Sequence, residues 1–291
     1  MSEHHAIDFG LDPSALTTAG YLLGRTSRCR VGTAVVLSPL LHPVDLAERV
    51  ALLDQWSGGR FDLGLGRGGY VRDYELLDLD PARWDDEPEA SVTALVDLWA
   101  EGSELRPAVR SRPHPPVLLA TSSDGGLDAA ARHGLALQHY FATPAEARVA
   151  VQQRYDERRG DDAGPAPAHL HTLIAIVTDD PTGVRERLTA ALTESFAAGD
   201  HPKVPQSPDR HLGPDGKPLD SATMARYAAA GAILGPPAQV VDELGAFMEA
   251  TGARRLAIYH EAAADAALTL SSIERFATEV VPQLTPAPAP S

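Results

Sequence analysis

Cysteine is almost missing from this chain: Cys29 stands alone among 291 residues. No internal disulfide can form, which predicts a cytoplasmic location. Lysine is nearly absent too, with only Lys203 and Lys217, so arginine carries the rest of the positive charge. The formal net charge of -15 excludes the basic face that a nucleic acid or an anionic membrane needs. No apolar run reaches the roughly 18 residues of a membrane span. Met1-Ser2-Glu3-His4-His5 has neither the basic nor the apolar region of a signal peptide. There is no G-x-S-x-G elbow and no phosphate-binding loop of the Walker type, and the histidines lack zinc-ligand spacing, so no metal is expected. Cys29 lies between Arg28 and Arg30 and reads as a structural thiol at a strand entry.

What is present is organised around residues 30–69. Val31–Leu37 is a β-branched and apolar run, suited to a strand covered on both faces. Pro39 and Pro43 stop it. Leu46, Val50 and Leu53 then share one helical stripe, and Ser57-Gly58-Gly59 ends that helix. Phe61, Leu63 and Leu65 alternate with Asp62, Gly64 and Gly66 as in a strand. This βαβ unit implies a parallel sheet with a right-handed crossover.

The same alternation continues along the chain. Strands are predicted at 31–37, 60–65, 116–120, 135–140, 170–177 and 255–259. Helices are predicted between them, with an acidic irregular stretch at 70–89 and a Pro/Arg-rich loop at 106–116. Residues 199–220 form a long polar loop of the kind that is usually functional or mobile. The pattern suits either a doubly wound sheet or a (β/α)8 barrel. The second strand favours the barrel: Asp62, Gly64 and Gly66 would face its interior and leave room for a cofactor.

In such folds reactive groups stand at the carboxyl ends of strands. Those positions hold Ser38, Arg67, Thr121, Ser122, Ser123, His139, Tyr140, Thr178, Asp179, Tyr259, His260 and Glu261. Arg67 is the most specific, because its glycine neighbours let backbone approach a ligand and its planar fork suits a phosphate. Ser122 and Ser123 precede a helix whose free N–H groups favour an anion. Together they point to a phosphorylated cofactor. Gly64–Gly69 matches G-x-G-x-x-G, but it follows an internal strand and opens no apolar helix, so it is not read as a dinucleotide turn.

The runs Glu3-His4-His5, Leu22–Ser27, Val31–Val36, His42-Pro43-Val44, Leu53–Asp62 and Gly66-Arg67-Gly68 resemble the bacterial luciferase-like monooxygenases. Gly235–Gln239, Arg275-Phe276 and Val281-Pro282 extend the resemblance over most of the chain. It implies a TIM-barrel α/β fold over residues 1–282, lacking strand one and most of strand two, followed by a disordered Pro/Ala tail at 283–291. It also implies reduced FMN, with the deazaflavin F420 as the alternative cofactor, and a homodimer formed through the helix carrying Glu48. His4 would be the acid/base near the flavin, with His5 beside it. Ala34-Val35 matches a non-prolyl cis peptide or bulge under the ring. Arg67 matches the phosphate-binding arginine, and Thr121 and Ser122, with Ser123 beside them, match the phosphate loop. The loop at 199–220 matches one that closes over the flavin.

The expected activity is a flavin-dependent monooxygenation of a small organic or natural-product substrate, fed by a separate flavin reductase. The alternatives are an F420-dependent oxidoreductase and a non-catalytic flavin-binding or degenerate family member. Two departures stand out: Gly66 occupies the reactive-cysteine position of the luciferases, and a second phosphate-binding arginine has only Arg83 near its place.

Overall fold

A computed structural model describes residues 1–5, 12–68, 70–160, 164–198 and 219–284, the side chains of 85–89 excepted. The expected loop at 199–220 and tail at 283–291 lie outside these residues except for 219–220 and 283–284. The chain divides into two compact units, one holding Met1–Gln138 and Gln153–Pro167, the other His139–Gln152, Ala168–Asp200 and Pro208–Ser291.

The first unit alternates strands and helices: α1 (Ala15–Arg25), β1 (Val31–Gly32), β2 (Val36–Leu37), α2 (Pro43–Ser57), β3 (Phe61–Gly66), α3 (Val71–Leu76), α4 (Arg83–Trp99), β4 (Val117–Leu119), α5 (Asp124–Arg132) and the start of β5 (Ala136–His139). β3 is central: β1 and β2 pair with it on one side and β4 on the other, and β4 pairs in turn with β5, all parallel. All six β3 residues are buried, because the strand is covered on both faces. α2 packs on it, with Leu46, Ala47, Val50 and Leu53 turned inward. The expected end of α2 is in place, with Gly58 closing the helix at φ +70°, and Pro43, read as a strand stop, also opens the helix.

Two boundaries differ from those read in the sequence. The first strand is interrupted, since β1 and β2 flank a cis peptide bond between Ala34 and Val35. The stretch at 70–89 is largely helical. Asp80-Pro81 forms the turn that precedes α4, the Asp80 carboxylate accepting from Ala82 N–H at 2.9 Å. The Pro/Arg-rich loop at 106–116 is tied down by Asp54 of α2. That buried carboxylate accepts from the Arg110 and Ser111 backbone N–H groups at 2.5 and 2.7 Å and from the Ser111 hydroxyl at 2.6 Å. Asp54→Ala would leave the two N–H groups without an acceptor, at about 1–3 kcal/mol each. A lower urea midpoint with an unchanged m-value is expected, and an unchanged midpoint would refute the role.

The second unit opens with the first half of α6 (Ala145–Arg159) and contains β6 (Leu170–Leu173), β7 (Ala175–Val177), α7 (Pro181–Ala198), α8 (Ser221–Ala230), β8 (Ile233–Gly235), α9 (Pro237–Thr251), β9 (Arg255–Ile258) and α10 (Ala266–Arg275). The strand expected at 170–177 changes partners midway: Leu170–Leu173 pair with β9 and Ala175–Val177 with β8, both parallel. Ile174, Ile176 and Leu234 bury with Val184, Leu188 and Leu192 of α7 and Ala225, Ala228 and Ala229 of α8. Leu173, Ala175, Val177 and Ile233 turn the other way, to Val240 and Leu244 of α9 and to Phe276 and Val280. The two-residue period of a strand thus fills two cores from one run. Among the described residues no helix is long and apolar enough to cross a membrane.

Candidate functional site

The first unit gathers most of the expected residues at the carboxyl ends of its parallel strands. Met1 lies along β1, its ammonium donating to Gly32 O at 3.2 Å and its carbonyl accepting from Ala34 N at 2.5 Å. This contact carries Glu3, His4 and His5 to the strand ends. Glu3 is buried, and its carboxylate accepts from Ala15 N at the start of α1 (3.1 Å) and from Leu37 N of β2 (3.2 Å). One carboxylate therefore joins the first residues to a helix and a strand.

Glu3 also separates the two histidines chemically. His5 Nε2 stands 3.7 Å from the Glu3 carboxylate, an ion-pair contact too long for a hydrogen bond. The carboxylate raises the His5 pKa above its ordinary 6.5, against burial, with Asp73 adding to the rise. Burial lowers the His4 pKa, and the neighbouring His5 lowers it further. Adjacent imidazoles are thereby pushed in opposite directions.

Arg67 leaves β3 at its carboxyl end and donates from Nη2 to Ser123 Oγ at 3.0 Å. Its guanidinium lies 4.6 Å from the centre of the Trp84 ring. Ser123 caps α5, accepting from Gly126 N at 3.3 Å, and its hydroxyl is 3.1 Å from that of Thr121. Gly126 is required there, because a Cβ would fall 2.1 Å from Thr121 Oγ1. Ser122 is exposed, and its carbonyl accepts from Arg154 Nη1 at 3.0 Å. The structure thus brings Arg67, Thr121 and Ser123 together and joins Ser122 to Arg154. Arg83 donates to Leu41 O at 3.2 Å.

The glycine face of β3 differs from expectation. A Cβ on Gly64 would lie 2.0 Å from Thr33 O, and one on Gly66 would lie 2.5 Å from Val35 Cγ2. The chain around the Ala34–Val35 bond fills the space that these glycines leave, so the glycines admit that segment rather than a cofactor. Asp62 on the same face is buried and paired with Arg30.

Three other strand-end residues have structural partners within the second unit. Asp179 pairs with Arg275 at 3.1 Å, and His260 Nδ1 meets Ser272 Oγ at 3.1 Å. His139 is buried against His171, their rings 4.7 Å apart, with His169 set edge-on at 6.2 Å. Arg148, 1% exposed, lies over the Phe247 ring and donates to the carbonyls of Tyr140, Phe141, Thr143 and Thr172.

Burial, His171 and Arg148 push the His139 pKa down to about 3; burial and Arg148 push that of His171 to about 4. Both rings are neutral in the native state, whereas their unfolded value is about 6.5. Their contribution is complete above pH 6.5 and is lost progressively as pH falls toward the native values. The melting temperature of the wild type is expected to fall between pH 6.5 and 4, and less steeply for His171→Leu. Parallel curves would contradict this assignment.

Sequence reading missed three residues of these arrangements. Glu3 was legible only as part of a motif. Arg154 sits on a charged helix with no distinguishing pattern, and Trp84 stands in an acidic stretch that looked irregular.

Parallel strands alternating with helices, with an arginine, hydroxyls and a helix N-terminus at the strand ends, define an α/β protein with donors suited to an anion. The chain belongs to the luciferase-like monooxygenase family, whose model matches residues 1–255. It is 31% identical over 170 residues to the alkanal monooxygenase alpha chain of Photorhabdus luminescens, covering 54% of this chain and 47% of that one. It is 28% identical over 150 residues to the oxygenase component of the flavin-dependent trigonelline monooxygenase of Acinetobacter baylyi, covering 47% and 42%. The matched stretches span about half the length of these curated relatives, or less. The monooxygenase RslO1 from Streptomyces bottropensis has a similar structure, with a TM-score of 0.79 at 23% identity over 98% of this chain and 87% of that one. The fold is therefore α/β of the TIM-barrel type found in luciferase-like monooxygenases.

Proposed function

We propose that the chain is the oxygenase of a two-component flavin system, using reduced FMN from a separate reductase to monooxygenate a small organic molecule. The observation that carries this reading is the Arg67–Ser123 pair at the N-terminus of α5, in a chain of this family. The donor set fits a flavin phosphate: a guanidinium fork, two hydroxyls and the free N–H groups of a helix start. The similarity to a flavin-dependent oxygenase component supports a separate reductase.

Bound reduced flavin would supply two electrons to O2, one oxygen atom going to the substrate and the other leaving as water. The chain's own residues do the rest. Arg67, Thr121 and Ser123 hold the phosphate, and Ser122 lies beside them. The Ala34–Val35 segment supports the ring. Burial lowers the His4 pKa and Glu3 raises that of His5, so His4 is the more readily deprotonated of the two and would be the acid/base near the ring, with His5 beside it. Residues 1–282 act as one domain, in the cytoplasm. The homodimer would form through α2, the helix carrying Glu48, where Trp56 is 77% exposed.

The test is oxygen consumption by the purified protein with candidate aldehydes and ketones, supplied with enzymatically reduced FMN or with reduced F420. Product carrying label from 18O2 only with FMN is the expected result. Substrate turnover with F420 and no oxygen uptake would replace this reading with hydride transfer. Failure to bind either cofactor would leave a non-catalytic family member.

A further inference from the structure

We propose that Trp84 is a positioning residue that presets Arg67, so that the site selects a flavin bearing a phosphate over one lacking it. The inference rests on the reading of Arg67 as the phosphate anchor. An arginine side chain carries roughly 2 kcal/mol of rotamer entropy, and a ligand must offset it if the side chain is free beforehand. Arg67 is not free. Ser123 Oγ accepts from one end of its fork, and the Trp84 ring covers one face at 4.6 Å. Stacking uses the face of a guanidinium and leaves its N–H edge for oxygen ligands. The ring also excludes water from that face, which strengthens the remaining charge interactions.

Trp84 can do this because it is itself fixed. It is 2% exposed and packs with Leu37, Leu40 and Tyr74. Its Nε1 donates to Gly68 O at 3.4 Å, tying the ring to the backbone that follows Arg67. One indole thus holds both the guanidinium and the turn that carries it. A leucine would fill much of the same core but offer neither the π face nor the N–H.

The experiment compares FMN with riboflavin, which lacks the phosphate, in equilibrium titrations of the full chain. The wild type is expected to bind FMN at least about 10-fold more tightly than riboflavin, consistent with charge-assisted bonds to the phosphate. Trp84→Leu should reduce that ratio by about 5- to 30-fold, the range of a partly buried cation–π contact with its preorganisation. Riboflavin affinity should stay within about two-fold. Trp84→Phe keeps an aromatic face and most of the core volume, and should lie between the two. In the Arg67→Ala background, Trp84→Leu should change the ratio no further. Equal weakening of both ligands, with the ratio preserved in Trp84→Leu and Trp84→Phe alike, would reduce Trp84 to core filler and overturn the inference. A wild type that does not discriminate between FMN and riboflavin would instead overturn the reading of Arg67, and this inference with it.

Discussion

Arg67→Ala is expected to weaken FMN binding by about 10- to 100-fold, which corresponds to losing a charged hydrogen-bonding partner worth roughly 1.5–3 kcal/mol. The guanidinium is held at the carboxyl end of β3 by Ser123 and Trp84, away from the buried faces of the sheet. Its loss should therefore cost affinity more than stability. Arg67→Lys should recover only part of the loss. A lysine keeps the charge but lacks the planar fork and the stacking surface. With saturating FMN, turnover of Arg67→Ala should approach that of the wild type if the residue only anchors the phosphate. Unchanged FMN affinity, measured by titration at fixed ionic strength, would remove the arginine from the site.

Gly64→Ala is expected to have the largest effect on folding. The added Cβ would fall 2.0 Å from Thr33 O and 2.9 Å from its carbonyl carbon. Both are backbone atoms, so no flexible side-chain end can move aside. The two residues are also locked together: Gly64 N donates to Thr33 Oγ1 at 2.8 Å, and that hydroxyl donates to Gly64 O at 2.9 Å. Relief requires displacing either the central strand or the segment leading into the Ala34–Val35 bond. Overpacking usually costs about 1–3 kcal/mol, and backbone against backbone belongs at or beyond the upper end. A large fall in melting temperature, or failure to accumulate as soluble protein, is the expected outcome. A variant as stable as the wild type would mean that β1, β2 and β3 are not arranged in this way.

These two residues also show what the sequence made legible. Arg67 could be found because its glycine neighbours and its place after an alternating strand mark a chemical position. Its partner was less legible, since Thr121-Ser122-Ser123 offers three hydroxyls and only the α5 cap geometry singles out Ser123. The glycines of β3 were correctly placed on one face but misjudged in purpose. Alternation says which way a residue points, not what fills the space opposite. Here that space is filled by Thr33 and Val35, from a segment about thirty positions earlier in the sequence.

The boundaries follow the same logic. α2 was readable because its apolar stripe and its Ser57-Gly58-Gly59 end agree. β8 was not, because Ile233–Gly235 is too short for alternation and is followed by Pro236-Pro237, which reads as a helix start. The change of partner at Ile174 lies in a run of uniformly strand-forming residues, and only the hydrogen bonds reveal it. His139 stands at a strand end, yet its burial beside His171 and Arg148 depends on residues from separate parts of the chain. The resemblance to luciferase-like monooxygenases supplied the roles proposed for His4 and His5, which spacing alone did not. The structure adds Glu3 as the group that anchors the segment and sets the two imidazoles apart.

The most direct test of the account is a crystal structure of the full chain with FMN. The phosphate is expected within hydrogen-bonding distance of the Arg67 guanidinium and Ser123 Oγ at the N-terminus of α5. The isoalloxazine ring is expected against Ala34–Val35, with His4 within reach of it. A phosphate bound elsewhere, with Arg67 and Ser123 still bonded only to each other and to the protein, would contradict it.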